Sequence, residues 1–359
     1  MTPVTERQQG TPKRRFWRIL RWIGAGLAVA ILILAIGGAV WNGVATFYYR
    51  SHYPAPGKMY TVNGFPMHMY CTGSGSPTLV LESGLGDDWT VWAKVQPTLS
   101  NTTQVCSYDR AGMGWSDEQS KDHDANTLAD QLHALLQVAG IQKPIVLMGH
   151  SIAGIYIRAY TARYPGDVAG LIFLDASSPH EDKPVTPLLA AGWSVPSFTL
   201  QRWETFFGIA RARGDCSQVV PGLEFERGWI YANNCKASAV DATIAEAHAF
   251  DHSSDETEHT GPFGHLPILV ISADASKEIS ETNPGPFAPS AVKKVQEIWD
   301  GMHEDLKHLS TNGRRIIAKG SDHYVEVDRA DLINREVPVF IQQVRSGTVS
   351  PDNGTTKVE

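Results

Sequence analysis

Cysteine is scarce in this chain, with 4 in 359 residues, and no two of them form a Cys-x-x-Cys pair. That excludes thioredoxin-like and zinc-ribbon chemistry. Charged residues make up only 19%. No basic stripe runs through the body of the chain, which excludes nucleic acid as a partner. There is no internal repeat. What the chain has instead is a hydrophobic share of 42%, enough for a globular core and too much for a disordered chain. The length suits one large domain with a small appendage.

The net charge of −7 is unevenly placed. Residues 1–22 carry Arg7, Lys13, Arg14, Arg15, Arg18 and Arg21 against Glu6 alone, or +5, which leaves −12 for the rest. From Arg21 to Arg50 charge is absent altogether. Within that gap Ile23–Trp41 is apolar throughout. As a helix it rises about 28 Å, enough to cross a hydrocarbon layer. Trp17, Trp22, Trp41, Tyr48 and Tyr49 flank it as interfacial aromatics do. The lipid bilayer is therefore an expected partner, with 1–22 cytoplasmic and everything past about residue 50 on the other side. A cleaved signal peptide is the competing reading, with Gly43-Val44-Ala45 as the cleavage site and a secreted product. Cys71, Cys106, Cys216 and Cys235 agree with export, either as two disulfides or as buried thiols.

Residues 42–57 read as a linker ending in Pro54-Ala55-Pro56-Gly57. Strand-like runs follow at Met59–Val62 and Met67–Cys71. Short apolar runs suited to strands buried on both faces come next, at 78–81, 104–108, 145–148, 171–174, 268–272 and 315–318. Helical patterns lie between them at Thr127–Ala139, Ile152–Tyr164 and Asp331–Val344. Such alternation predicts an α/β fold, a mostly parallel sheet with helices on both faces. The pattern breaks over 178–262, which reads as a cap insertion between two core segments, 58–177 and 263–345. The polar tail 346–359 reads as disordered.

One stretch carries chemistry: Pro144-Ile-Val-Leu-Met-Gly149-His150-Ser151-Ile152-Ala153-Gly154. A strand runs into a small-x-Ser-x-small turn, and a helix begins at once. The turn lifts the serine above the sheet, and the helix start aims N–H groups at developing negative charge. Ala153 stands where the strict pattern has glycine. A serine that merely caps a helix is the plainer alternative.

Gly149–Gly154, Asp109–Ser116 (DRAGMGWS) and Glu82–Gly86 (ESGLG) together resemble the esterase-like serine hydrolases of the α/β-hydrolase fold superfamily. The resemblance covers roughly 58–176 and 265–345. It implies an eight-stranded sheet with a mainly helical cap and the second strand beside the fourth. That order would pair Cys71 with Cys106, leaving Cys216 and Cys235 to staple the insertion. It also implies a histidine after the last core strand, and His323 in Lys319-Gly-Ser-Asp-His-Tyr324 fits. The acid would follow strand six or strand seven, so Asp175 and Asp274 both stand as candidates, with Glu278 a third. Backbone N–H groups of Ile152 and Leu85 would form the oxyanion hole, although Glu82-Ser83-Gly84 replaces the family's usual His-Gly. Asp109 and Arg110 match a structural turn. His150 reads as a packing or substrate-contact residue.

The resulting expectation is hydrolysis of an ester or related acyl bond in a small-molecule substrate, through Ser151, His323 and Asp175, with no cofactor and no metal. Thioesterase, lactonase, amidase, C–C hydrolase and peroxidase-like activities use the same constellation. Haloalkane and epoxide chemistry fit poorly, because those relatives carry aspartate where Ser151 stands. Outside the enzyme class, a membrane-tethered binding module on a hydrolase scaffold remains. His248, His252, His259 and His265 share a segment with Asp251 and Glu256, which reads as a solvated acidic loop rather than a metal site. In the insertion Trp193, Phe198, Trp203, Phe206, Phe207, Trp229 and Tyr231 either wall an acyl pocket or cover the core.

Overall fold

A computed structural model describes residues 12–118, 122–193 and 198–359, with Pro12, Lys13 and Phe198 as backbone only. Nine strands form one sheet: β1 (Lys58–Val62), β2 (Phe65–Thr72), β3 (Leu79–Glu82), β4 (Val105–Tyr108), β5 (Ile145–His150), β6 (Val168–Leu174), β7 (Ile268–Ser272), β8 (Gly313–Ile317) and β9 (Thr356–Val358). Their order is β1-β2-β4-β3-β5-β6-β7-β8-β9. β2 pairs antiparallel with β1 and β4, and every pairing from β4 onward is parallel. Every residue of β3, β4, β5 and β7 is buried, as continuous apolar strands between two helical layers must be.

The helices are α1 (Pro12–His52), α2 (Ala125–Val138), α3 (Ala153–Arg163), α4 (Phe198–Phe206), α5 (Ala237–His248), α6 (Phe250–Thr257), α7 (Val292–Lys307) and α8 (Ala330–Ser346), with shorter turns between them. Two apolar clusters fill the space on the sheet's faces. One sets Leu132, Leu135, Leu136, Ile155 and Tyr160 of α2 and α3 beneath it. The other packs Leu332, Val337, Phe340 and Ile341 of α8 with Trp92. The insertion carries α4 to α6. Its last helix is tied to the core where Ser253 Oγ accepts from Ala125 N and Arg158 Nη2 donates to Thr257 O.

The two disulfides are Cys71–Cys106, across neighbouring β2 and β4, and Cys216–Cys235, inside the insertion. Two expectations change. The linker over 42–57 is helix as far as His52, because α1 keeps a face on the domain: Ala35, Gly38, Ala39, Asn42, Ala45, Thr46, Tyr49 and Arg50 are its covered positions. Asn42 is fully sheathed, donating to Thr205 O and Cys235 O and accepting from Arg211 Nε. The tail is ordered at its end, where Thr356–Val358 adds a ninth strand by pairing with Arg315–Ile317.

Candidate active site

Ser151, Asp175, Asp274, His323 and Leu85 all follow the carboxyl ends of strands, β5, β6, β7, β8 and β3 in turn. In open α/β sheets that edge is where ligands bind. Ser151 sits at φ +57°, a left-handed conformation rarely adopted by a residue with a side chain. Its backbone is held on both sides: Ser151 N donates to Leu174 O (3.1 Å), and its carbonyl accepts from Gly154 N and Ser177 N. The tight approach falls on Gly149 and Gly154. A Cβ at Gly154 would come within 2.7 Å of the Ala176 Cβ, and one at Gly149 within 2.8 Å of the Ala153 carbonyl. Ala153 itself is buried without such conflict, so the pattern tolerates the extra methyl there.

His323 Nδ1 donates to Asp175 Oδ2 at 2.7 Å. The other oxygen of Asp175 accepts from Ala273 N (2.8 Å) and faces His303 Nε2 of α7 at 3.4 Å. Asp274 is turned elsewhere. It caps its own turn, accepting from Ser276 N and Oγ and from Gly320 N, and it pairs with Lys319 at 3.1 Å. Glu278 comes within 3.8 Å of His323 Nδ1. Ser151, Asp175 and His323 share one cavity of about 180 Å³, also lined by Glu181, Glu278 and Met302.

The loop after β3 that holds Leu85 is fastened from below. Arg110 donates to Ser83 O, Gly84 O and Glu82 Oε1, and grips Glu246 of α5 with Nε and Nη2. Among the described residues no backbone carbonyl accepts the N–H of Leu85 or Ile152. Asp109 accepts from Trp89 N and Trp115 N, which agrees with a structural turn.

A family model described as the alpha/beta hydrolase fold matches residues 77–205. The fold of this chain is that of the α/β hydrolases. A Burkholderia xenovorans enol-lactonase superposes with a TM-score of 0.55 at 19% identity, over 79% of this chain and 100% of that one. A Thermogutta terrifontis esterase gives 0.56 at 18%, over 81% and 99%. A membrane phospholipase A gives 0.54 at 19%, over 91% and 99%. Among curated proteins, an uncharacterized Schizosaccharomyces pombe protein is 29% identical across 84% of this chain. An uncharacterized Bacillus subtilis protein is 26% identical across 47%. The chain spans only 62% and 52% of those two proteins' own lengths.

Within the hydrolase fold, the electrostatics around His323 follow from burial and from a crowd of carboxyls. Burial disfavours the imidazolium, but the Asp175 hydrogen bond and charge outweigh it and raise His323 to about 10. Burial would raise Asp175, and the neighbouring His303 and His323 reverse that, holding it at about 2. Glu278 goes the other way: burial, then repulsion from Asp175, lifts it to about 8. Glu326 is fully buried and raised well above its ordinary value. Near neutral pH Asp175 is thus the charged partner of His323, while Glu278 holds its proton. His150 is buried and pushed down to about 3, first by burial and then by His323. Its Nε2 donates to His323 O (3.0 Å) and its ring packs on the His323 ring at 4.7 Å.

Asp175, Glu278 and His323 are also the group of metal-type ligands that meet among the described residues. In this structure the His323 and Asp175 atoms of that group are engaged with each other, Nδ1 donating to Oδ2 at 2.7 Å. The His248–His265 segment forms no such group among the described residues. None of Trp193, Trp203, Phe206, Phe207, Trp229 and Tyr231 lines this cavity or the larger one of about 790 Å³ under the cap, whose apolar wall is aliphatic: Val91, Leu200, Val220, Leu223, Ile230, Val240 and Ile244. The Phe198 side chain lies outside the described residues. His303 and Glu181 are site residues that carry no sequence signal, since each belongs to an ordinary helical or turn pattern.

Proposed function

We infer that this chain is a serine hydrolase that cleaves a carboxylic ester or related acyl bond. The observation that carries the reading is the 2.7 Å bond from His323 Nδ1 to Asp175, made beside a serine held at positive φ in the same cavity. Ser151 Oγ attacks the carbonyl carbon while His323 Nε2 takes its proton. The Leu85 and Ile152 N–H groups stabilise the oxyanion, and their lack of other backbone carbonyl partners supports that role. The C–O bond to the leaving group then breaks, with the proton passing from His323 to the departing alcohol. Water, deprotonated by the same histidine, attacks the acyl-enzyme and releases the acid and free Ser151. Asp175 keeps the imidazole oriented and balances its charge. The cavity of about 790 Å³ reaches Gly86 and Asp87 beside the oxyanion loop and offers room for an acyl or alcohol portion.

The domain is membrane-anchored on the extracytoplasmic side in this reading. Ile23–Trp41 is helical, exposed apart from Ala35, Gly38 and Ala39, and long enough to cross a bilayer, and both disulfides suit an oxidising compartment. Retention of the helix is favoured over cleavage at Gly43–Ala45. That segment is mid-helix, between Asn42, bonded to the insertion, and Thr46 and Arg50, which bond Arg211 and Asn233. A series of p-nitrophenyl esters of increasing acyl length tests the activity and the depth of the pocket together. Turnover that disappears in Ser151→Ala is expected. Folded protein that turns over no ester, thioester or lactone would leave the binding-module reading in its place.

A further inference from the structure

The insertion carries an apolar face that its own domain leaves uncovered. Trp203 and Phe206 lie three residues apart on α4, and Ile209 follows in the next turn. They are 49%, 48% and 47% exposed. Residues at this spacing share one side of a helix. The polar residues of α4 are engaged elsewhere: Arg202 with Asp241 at 2.6 Å and Glu204 with Arg213 at 2.7 Å. Large aromatics grouped in this way on a surface mark an interaction site.

The position of this face says what covers it. The turn after α4 touches α1 at Gly38, where a Cβ would collide with the Phe207 carbonyl. One at Gly208 would lie 2.7 Å from the Gly38 carbonyl. Gly38 is not at the end of the apolar run but three residues inside it, about 4.5 Å below Trp41 at 1.5 Å per residue. The covered stripe of α1 begins earlier still, at Ala35. Ending the membrane segment there would remove the overlap, but a helix from Trp22 to Ala35 rises only about 20 Å, too short for a hydrocarbon layer of about 30 Å. The span therefore needs the residues that α4 and its turn pack against.

From this juxtaposition of Gly38 with Phe207 and Gly208, we propose that the α4 face (Trp203, Phe206 and, just beyond, Ile209) lies in the bilayer interface beside the anchor. The partner is the lipid surface itself. An amphipathic helix lying in the interface sinks about 5–10 Å into the headgroup–acyl boundary, which matches the depth of Gly38 and Ala35. The backbone is ready for that environment, since Phe207 N donates to Trp203 O and Gly208 N to Thr205 O. The cap thereby has a second membrane contact, and α1 and α4 together fix the orientation of the domain on the bilayer. This inference rests on the reading of Ile23–Trp41 as a membrane span.

The test is spin-label depth measurement on the full-length chain reconstituted in phosphatidylcholine–phosphatidylglycerol vesicles. Both native cysteine pairs are disulfide-bonded, so single introduced cysteines take the label. Phe206→Cys probes the proposed contact, with Trp203→Cys as a second probe should the first fail to fold. Leu34→Cys marks the span. Val358→Cys marks water, because β9 lies at the sheet edge opposite the strand that follows α1. The expected result is an oxygen-to-nickel collision ratio at 206 severalfold above that at 358 and approaching that at 34. A water-like ratio at both 206 and 203, with a membrane-like ratio at 34, would overturn the α4 contact and leave the span intact. A water-like ratio at 34 would overturn the span, and the inference with it.

Discussion

Asp175 and His323, separated by 148 residues of chain, meet through a 2.7 Å hydrogen bond, and Asp274, also at the end of a neighbouring strand, does not join them. Asp175 sits at φ +38°, accepts the Ala273 N–H on its other oxygen, and is thereby aimed at the loop after β8. Asp274 spends its oxygens on Ser276 and Gly320.

The two aspartates should therefore separate cleanly on mutation. Asp175→Asn is expected to lower kcat by on the order of 10⁴, as loss of the orienting carboxylate does in serine proteases. Asp274→Asn should keep most of its rate and lose about 1 kcal/mol of stability through its turn cap. Ester kinetics beside thermal unfolding decide it, and the reverse pattern would reassign the acid.

Activity should depend on pH through His323. Its neutral form accepts the serine proton, and Asp175 raises its pKa above the ordinary 6.5 in spite of burial. The rate then climbs as pH rises through that raised pKa, giving an acidic limb of kcat/KM on the alkaline side of 6.5. Glu278 ionises near pH 8 and adds a second negative charge beside the imidazole. Glu278→Gln should consequently move the limb to lower pH. A wild-type limb at or below 6.5 would be inconsistent with the pairing seen here.

The nucleophile turn makes a prediction about small residues. Gly154→Ala places a methyl 2.7 Å from the Ala176 Cβ and 2.8 Å from the Ser177 carbonyl. Overpacking of that kind costs ~1–3 kcal/mol, and it should also lower kcat, because Ser177 N holds the Ser151 carbonyl. Ala153→Gly should cost only the roughly 0.5–1 kcal/mol of a helical glycine. Calorimetry of the two variants would show equal losses if the close approach were not at Gly154.

The base of the anchor helix carries its own prediction. Asn42→Leu removes two hydrogen bonds to the insertion and the acceptor for the buried Arg211. An unpaired buried polar group costs ~1–3 kcal/mol, so the melting temperature in detergent should fall while hydrolysis of a short soluble ester below it is unchanged. An unshifted melting temperature would mean that α1 and the insertion are not coupled.

Much of this architecture was legible in the sequence, and the exceptions have physical causes. The strand runs fall within three residues of the observed strand ends because buried parallel strands are continuously apolar. Ser151 and His323 stood out as candidates because each follows such a run. The carboxylate partner of His323 did not, since Asp175 and Asp274 each follow a strand at the same sheet edge, and only the backbone turn at Asp175 decides which one points inward. The helix beyond Trp41 was hidden because Asn42, Gly43 and Thr46 look like a linker until Thr205, Arg211 and Cys235 supply their partners. The aromatics of the insertion suggested either a pocket wall or a cover for the core; none lines the pocket, Trp203, Phe206 and Phe207 pack among themselves, and Trp229 and Tyr231 pack on Trp89 and Tyr49.

The most direct test of the central claim is labelling by a fluorophosphonate probe, with the modified residue located by peptide mass spectrometry. Hydrolysis through Ser151 predicts one adduct, on the peptide containing Gly149–Gly154, absent from folded Ser151→Ala and strongly slowed in Asp175→Asn. Folded wild-type protein that takes no adduct, or takes it on another residue, would contradict the account.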